Sequence, residues 1–162
     1  MDFKLFKGRL IDAERGSNIK IKIMNREDKE LLLKDLCARL PYDVKVAFQV
    51  GNNMPDIRIF TGKDYDYLKY YHFIDEFTNC TFKPYLRPKS SMTEEEKETY
   101  YNLCYEEERE EYEFGEWVTR VYYHDTIDSI DYLNSIHVDY RGLIPKGLAI
   151  EVNESNNPYK GL

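Results

Sequence analysis

Cys104, His124 and the aspartates Asp125 and Asp128 are the residue types of a nucleophile, a general base and an orienting carboxylate. The chemistry they would support is thiol-based nucleophilic catalysis. Cys104, however, lies in a helical pattern with no glycine-flanked nucleophile motif around it, a setting in which a small buried thiol is ordinary. His124-Asp125 and His137-Val138-Asp139 could supply metal ligands, but the HExxH spacing that puts two imidazoles on one helix face is missing. The glycines of "GNN" at 51–53 and "YRGLIPKGL" at 140–148 match neither GxxxxGK[ST] nor GxGxxG, so no cofactor is expected. The residue types lean away from an enzyme. A small metal-dependent hydrolase using His124, His137 and nearby carboxylates stays as an alternative.

The more unusual chemistry is electrostatic. "TEEEKETYYNLCYEEEREEYEFGEW", residues 93–117, holds eleven carboxylates and two cations, Lys97 and Arg109, so a chain of net charge −7 concentrates its acidity here and is slightly basic elsewhere. Ser91 or Thr93 followed by three glutamates is a helix start, because early carboxylates meet the positive helix end. The spacing predicts one acidic helix running to just before Gly115. At about 100° per residue, Tyr101, Tyr105 and Tyr112 would form a narrow stripe able to dock on a core, with Glu108 inside it. Glu94 with Glu98, Glu106 with Glu110 and Glu107 with Glu111 would each cost ~0.2–0.5 kcal/mol on that helix. Glu110, Glu111 and Glu113 would crowd its negative end. Local energetics therefore do not account for the composition. It is a solvated face, a divalent-metal surface, or a docking site for a basic partner, the last extending to mimicry of nucleic acid.

The residues read as a binding surface are Glu106, Glu107, Glu110, Glu111 and Tyr112. A second surface is "DYRGLIPKG", Asp139 to Gly147, where Tyr140 and Arg141 are types enriched at interface hot spots. The expected partner is a protein with a basic surface. Lys4, Lys7, Arg9, Lys20, Lys22 and Arg26 could form a basic patch beside Phe3 and Phe6, but the isoelectric point near 5.1 argues against direct nucleic-acid binding.

The elements that must position these residues read as a mixture. Phe3 to Ile11 and Asn18 to Met24 form a candidate hairpin, a possible extension at 1–24. Asn25 caps a helix whose apolar face is Leu32, Leu33, Leu36 and Leu40 and which Pro41 stops. Residues 44–50 and 56–62 read as strands. Residues 65–77 fit either period and are taken as a strand on their aromatic density. "KPYLRPKSS" reads as a proline-marked connector, "EWVTRVYYH" as a strand, and Asp125 opens a helix with Ile127, Ile130, Leu133 and Ile136 on one face. Residues 152–162 read as a flexible tail.

The 162 residues suit one domain, and the expected class is α+β with an antiparallel or mixed sheet and about three helices, one strongly acidic. No apolar run approaches the roughly 20 residues of a membrane span. An N-terminus without the apolar core of a secretory signal, and three cysteines without CxxC spacing, point to a cytoplasmic location.

Three stretches, "EDKELLLKDLCARLPYDVKV" from Glu27, "KPYLRPKSSMTEEEKETYYNL" from Lys83 and "SIDYLNSIHVDYRGLIPKGLAIE" from Ser129, together resemble a widespread group of small proteins encoded by gut bacteria and their phages and mobile elements. The resemblance spans most of residues 27–151. It carries no established activity and no site residues. It favours an accessory protein acting inside bacterial cells, with an anti-defence or host-modulating role as the alternative where a phage or mobile element encodes it; the leading reading is binding to another protein, without turnover.

Overall fold

The computed structural model describes residues 24–50, 53–74, 80–112 and 116–160. The expected hairpin at 3–24 lies outside these residues, apart from Met24.

Helix α1, Arg26–Ala38, starts where the Asn25 side chain accepts the Asp28 N–H, with Glu27 and Asp28 in the first turn complementing the helix dipole. Its Leu32 and Leu36 are fully buried, each stabilising the fold by roughly 1.5–3 kcal/mol. A 3₁₀ turn at Leu40–Tyr42 carrying Pro41, followed by Asp43 in the left-handed region (φ 52°), ends the helical run. Strands β1, Lys45–Val50, and β2, Asp56–Ile59, pair antiparallel, as the alternating sequence predicts.

Helix α2, Gly62–Ile74, replaces the strand expected at 65–77. The Asp64 carboxylate accepts from both the N–H and the hydroxyl of Thr61, a local cap that commits the chain to helix. Leu68 then enters the core, and Tyr65 and Tyr67 pack against its rim. Aromatic density was the wrong criterion, because tertiary packing overrides strand propensity.

The proline-marked connector is strand β3, Cys80–Pro88, which joins β1 to the rest of the sheet. Pro84 sits opposite Val46 before any strand pairs on the other side, and Pro88 is the last residue. The missing N–H groups therefore fall where β3 has one neighbour.

After α3, Glu94–Leu103, come β4, Tyr105–Tyr112, and β5, Glu116–Tyr123, then α4, Ile127–Ser135, and the short strands β6, Val138–Asp139, and β7, Ile150–Glu151. Among the described residues the sheet order is β2-β1-β3-β6, with β7 also on β3. The β6 and β7 pairings are parallel, while β4 and β5 form a separate antiparallel ribbon. The protein is a single α+β domain with four α-helices among the described residues.

One sheet face carries Val46, Phe48, Phe82 and Leu86 against α1 and α2, with the Phe48 and Phe82 rings 4.7 Å apart. The other carries Ala47 and Tyr85 under Val152 and Tyr159. Residues of the expected tail are tied there: the Tyr159 hydroxyl donates to Tyr85 O at 2.9 Å and accepts the Lys45 N–H at 3.1 Å. A second cluster, Met92, Tyr100, Cys104, Leu133 and Val138, packs α3 against α4.

Arg39 joins the two cores. Its guanidinium is wholly buried, with Nε 2.8 Å from Asp35 Oδ2, and Nη2 donates to Asp35 Oδ1 and to Val138 O. This pins the end of α1 to β6.

Candidate interaction site

The long acidic helix is not formed. A Thr93–Glu96 capping box starts α3, as expected, but the helix ends at the Cys104 cap, and "YEEEREEY" is strand β4. The physical reason lies in the repulsions noted above, which accumulate from Glu106 onward. It lies also in the partner strand "EWVTRVYY", whose β-branched and aromatic residues recruit the glutamates into a ladder. Tyr100, buried against α4, does the docking expected of the Tyr101–Tyr105–Tyr112 stripe; Tyr101 is 60% exposed.

The base of the ribbon is clamped twice. The Thr126 hydroxyl donates to Leu103 O at 2.8 Å, and the His124 N–H donates to Cys104 O at 3.2 Å. The same Thr126 Oγ1 accepts the Ser129 N–H that starts α4, so one residue fixes both the ribbon's root and the next helix. Beyond this root no other described element packs extensively on β4 or β5, and residues 105–111 and 117–123 are all exposed.

Register sorts the side chains. Glu106 faces Tyr122, Glu108 faces Arg120 and Glu110 faces Val118 across one face. On the other, Tyr105 faces Tyr123, Glu107 faces Val121, Arg109 faces Thr119 and Glu111 faces Trp117. Both faces thus have carboxylates along β4 and apolar groups along β5. Trp117 is 66% and Tyr123 69% exposed. Within the ribbon, Arg120 Nη2 lies 3.3 Å from Glu110 Oε2, His124 Nε2 lies 3.1 Å from Glu106 Oε2, and the Tyr105 hydroxyl donates to Glu107. Glu108 and Glu111 have no ion-pair partner within bonding distance among the described residues.

Of the residues singled out in sequence, Glu106, Glu107, Glu110 and Glu111 share β4, but split between its faces; Tyr112 closes the strand. Tyr140 and Arg141 stand elsewhere and turn inward. Arg141 Nε donates to the Tyr140 hydroxyl at 2.9 Å and sits 3.5 Å from the buried Asp35 Oδ1, with its side chain only 17% exposed. The turn itself is built by Asp139, whose carboxylate accepts the N–H groups of Leu143 and Ile144, and by Gly142 at φ 74°.

The candidate nucleophile, base and orienter are not assembled: Cys104 and Asp125 both meet the Tyr100 hydroxyl, while the His124 imidazole turns to Glu106. The Cys104 thiol is buried, and Asp125 accepts the Tyr100 hydroxyl. Burial, with that bond to Asp125, pushes the Tyr100 phenol well above its ordinary range. His137 is in the other core region, stacked 4.3 Å from the Tyr159 ring, and burial together with Arg39 and Arg87 lowers its pKa to about 4. Among the described residues no three His, Cys, Asp or Glu side chains are grouped to hold a metal ion, and no helix is long and apolar enough to cross a membrane.

Sequence reasoning missed Asp35–Arg39 and the bidentate Arg87–Glu96 pair at 2.7 and 2.9 Å. The first had a signal, opposite charges four apart at the end of an apolar helix face. The second joins β3 to α3 through residues taken as a connector. No family model matches the chain, and no curated protein or solved structure matches it either.

Proposed function

We propose that this is an accessory protein that works by binding another protein without turnover, and that the β4–β5 ribbon is the recognition element. The observation that carries the reading is the ribbon's exposure on both faces, with five glutamates on β4 beside Trp117, Tyr122 and Tyr123 on β5. Aromatic anchors rimmed by charge are what a docking surface needs: the rings supply desolvated area, and the charge steers a basic partner and sets register. The partner presents Lys or Arg groups spaced to meet Glu106, Glu108 and Glu110, about 7 Å apart in succession along one face of the strand, or Glu107 and Glu111, about 13 Å apart along the other.

Strand geometry favours this over mimicry of nucleic acid. A mimic needs its charge on one surface, and β4 divides its carboxylates between two, with Arg109 on one and Arg120 on the other. Tyr140 and Arg141, closed over Asp35, support the fold in this reading. The resemblance to proteins of phages and mobile elements makes host modulation the proposed setting, by context alone.

The test is a tagged pull-down from bacterial lysate, at low and high salt, comparing wild type with a variant in which Glu106, Glu107, Glu110 and Glu111 become Gln. A partner held by wild type, released by salt and lost by the variant is the expected result. Identical recovery by both proteins at every salt concentration would remove β4 as the recognition strand.

A further inference from the structure

β5 has one strand neighbour, β4, so among the described residues nothing pairs with its outer edge. A two-stranded ribbon without a third strand or a packed layer is marginal in water, and an open apolar edge is the part of a sheet that recruits another chain. The acidity of this ribbon is concentrated on one strand: Glu106, Glu107, Glu108, Glu110 and Glu111 lie on β4, with Arg109, whereas β5 carries Trp117, Val118, Val121, Tyr122 and Tyr123 with Glu116 and Arg120.

We propose that β5 pairs antiparallel with β5 of a second copy of this chain, forming a four-stranded sheet whose two outer edges are the acidic β4 strands. The sequence of β5 is self-complementary for this. Centring the two-fold on Thr119 sets Trp117 opposite Val121, Val118 opposite Arg120 and Glu116 opposite Tyr122 of the other copy, with no like charges facing. Centring it on Arg120 would set two guanidinium groups against each other.

The same asymmetry limits the assembly to two copies. Further pairing through β4 would bring glutamate rows together, which is how natural edge strands are protected from propagation. Trp117, Tyr122 and Tyr123, at 66%, 39% and 69% exposure, leave on the order of 350 Å² open per copy, given ~150–250 Å² for an aromatic side chain. With the valines and the backbone edge, the two copies bury at most roughly 1,000 Å² in total, the low end for a specific interface, so a weak, concentration-dependent dimer is expected. This goes beyond the recognition of a basic partner, since it uses the opposite edge of the ribbon and leaves the β4 glutamates, though not the β5 rings, to that partner.

Sedimentation velocity of the full chain over a wide micromolar range tests it. The expected mass rises from the 19.4 kDa monomer toward twice that value with concentration, and Trp117→Lys with Val121→Lys weakens association at least about tenfold while leaving the melting temperature of the body unchanged. In parallel, Thr119→Cys on β5 and Arg109→Cys on β4 are oxidised mildly. A disulfide-linked dimer through position 119 and not 109 is expected, since facing residues on paired strands have Cβ atoms about 5 Å apart. A monomer at every concentration, a dimer indifferent to the two lysines, or cross-linking through 109 in place of 119 overturns the proposal. The Gln variant at Glu106, Glu107, Glu110 and Glu111 still dimerises, which separates this inference from the partner-docking reading.

Discussion

Replacing Arg39 with Met is the sharpest test of how the body holds together. The guanidinium donates twice to Asp35, at 2.8 and 3.2 Å, once to Val138 O at 2.8 Å and once to Asn134 O at 3.4 Å, with both charged side chains at zero exposure. Met fills most of the volume but leaves the Asp35 carboxylate buried without its main partner. Removing one member of a buried pair costs about 3–5 kcal/mol. Arg141, 3.5 Å from Asp35, can take up part of the charge, so the lower end is expected. At about 2–4 °C per kcal/mol for a chain of this size, a loss of about 3 kcal/mol lowers the melting temperature by roughly 6–12 °C. Urea unfolding at neutral pH, followed by far-UV circular dichroism, measures the loss directly. The paired change Asp35→Leu with Arg39→Met recovers all but about 1–2 kcal/mol, because no buried charge is then stranded. A single-variant loss below about 1 kcal/mol, or a double variant as unstable as the sum of its parts, would refute the assignment of Arg39 as the link between the cores.

Two further predictions concern pH. The Arg87 guanidinium holds Glu96 below the usual carboxylate range, so its stabilisation is complete above the unfolded value of about 4.3 and is lost as pH falls through the lower folded value. Glu96→Gln therefore costs about 1–3 kcal/mol at pH 7, and the gap from wild type closes toward pH 3; a gap independent of pH would sink this account. His137 works in a higher window. Burial, aided by Arg39 and Arg87 and opposed by Asp43, lowers its pKa to about 4, so the neutral ring's contribution is complete above about 6.5 and is lost as pH falls from there to 4. His137→Asn, chosen because Asn tolerates the left-handed φ of 56°, removes on the order of 1–2 kcal/mol of pH dependence between pH 6.5 and 4.5, discounted for the partly exposed ring. Equal slopes for the two proteins in urea titrations across that window would contradict it.

What the sequence revealed, and what it concealed, follows how local each determinant is. The α1 cap at Asn25, the α3 capping box at Thr93 and the alternation in β1 are decided within a few residues, and these elements form where they were expected. The helix of 62–74 and the strand of 80–88 depended on partners far away. Leu68 is helical because it reaches a core made by α1 and the sheet, and Pro84 is tolerated in a strand because of which neighbour stands opposite it. Of the candidate site, the glutamates were legible as an anomaly, but not their geometry. Tyr140 and Arg141 have the composition of a hot spot, and their packing beside Asp35 is a further role that composition does not reveal.

The misread acidic helix bears on the proposal that the ribbon is a recognition element. Between Tyr105 and Tyr112 helix and strand are both poor states for an isolated chain, the first through like-charge pairs at four-residue spacing and the second through the low strand propensity of Glu. β5 tips the balance by supplying valines, tyrosines and a tryptophan, yet those residues gain no core in return: Trp117 and Tyr123 stay two-thirds exposed. Folding alone does not reward this arrangement, because shorter and more polar connections could join Cys104 to Asp125, whose neighbours already meet through Leu103 and Thr126. An eight-residue excursion on each strand, clamped at its root, with its glutamates on β4 and its aromatic groups mostly on β5, would gain further stabilisation from the occupants proposed above. The body is thus a platform with its own two cores and a buried arginine between them, and the ribbon it holds out is where we propose that binding acts.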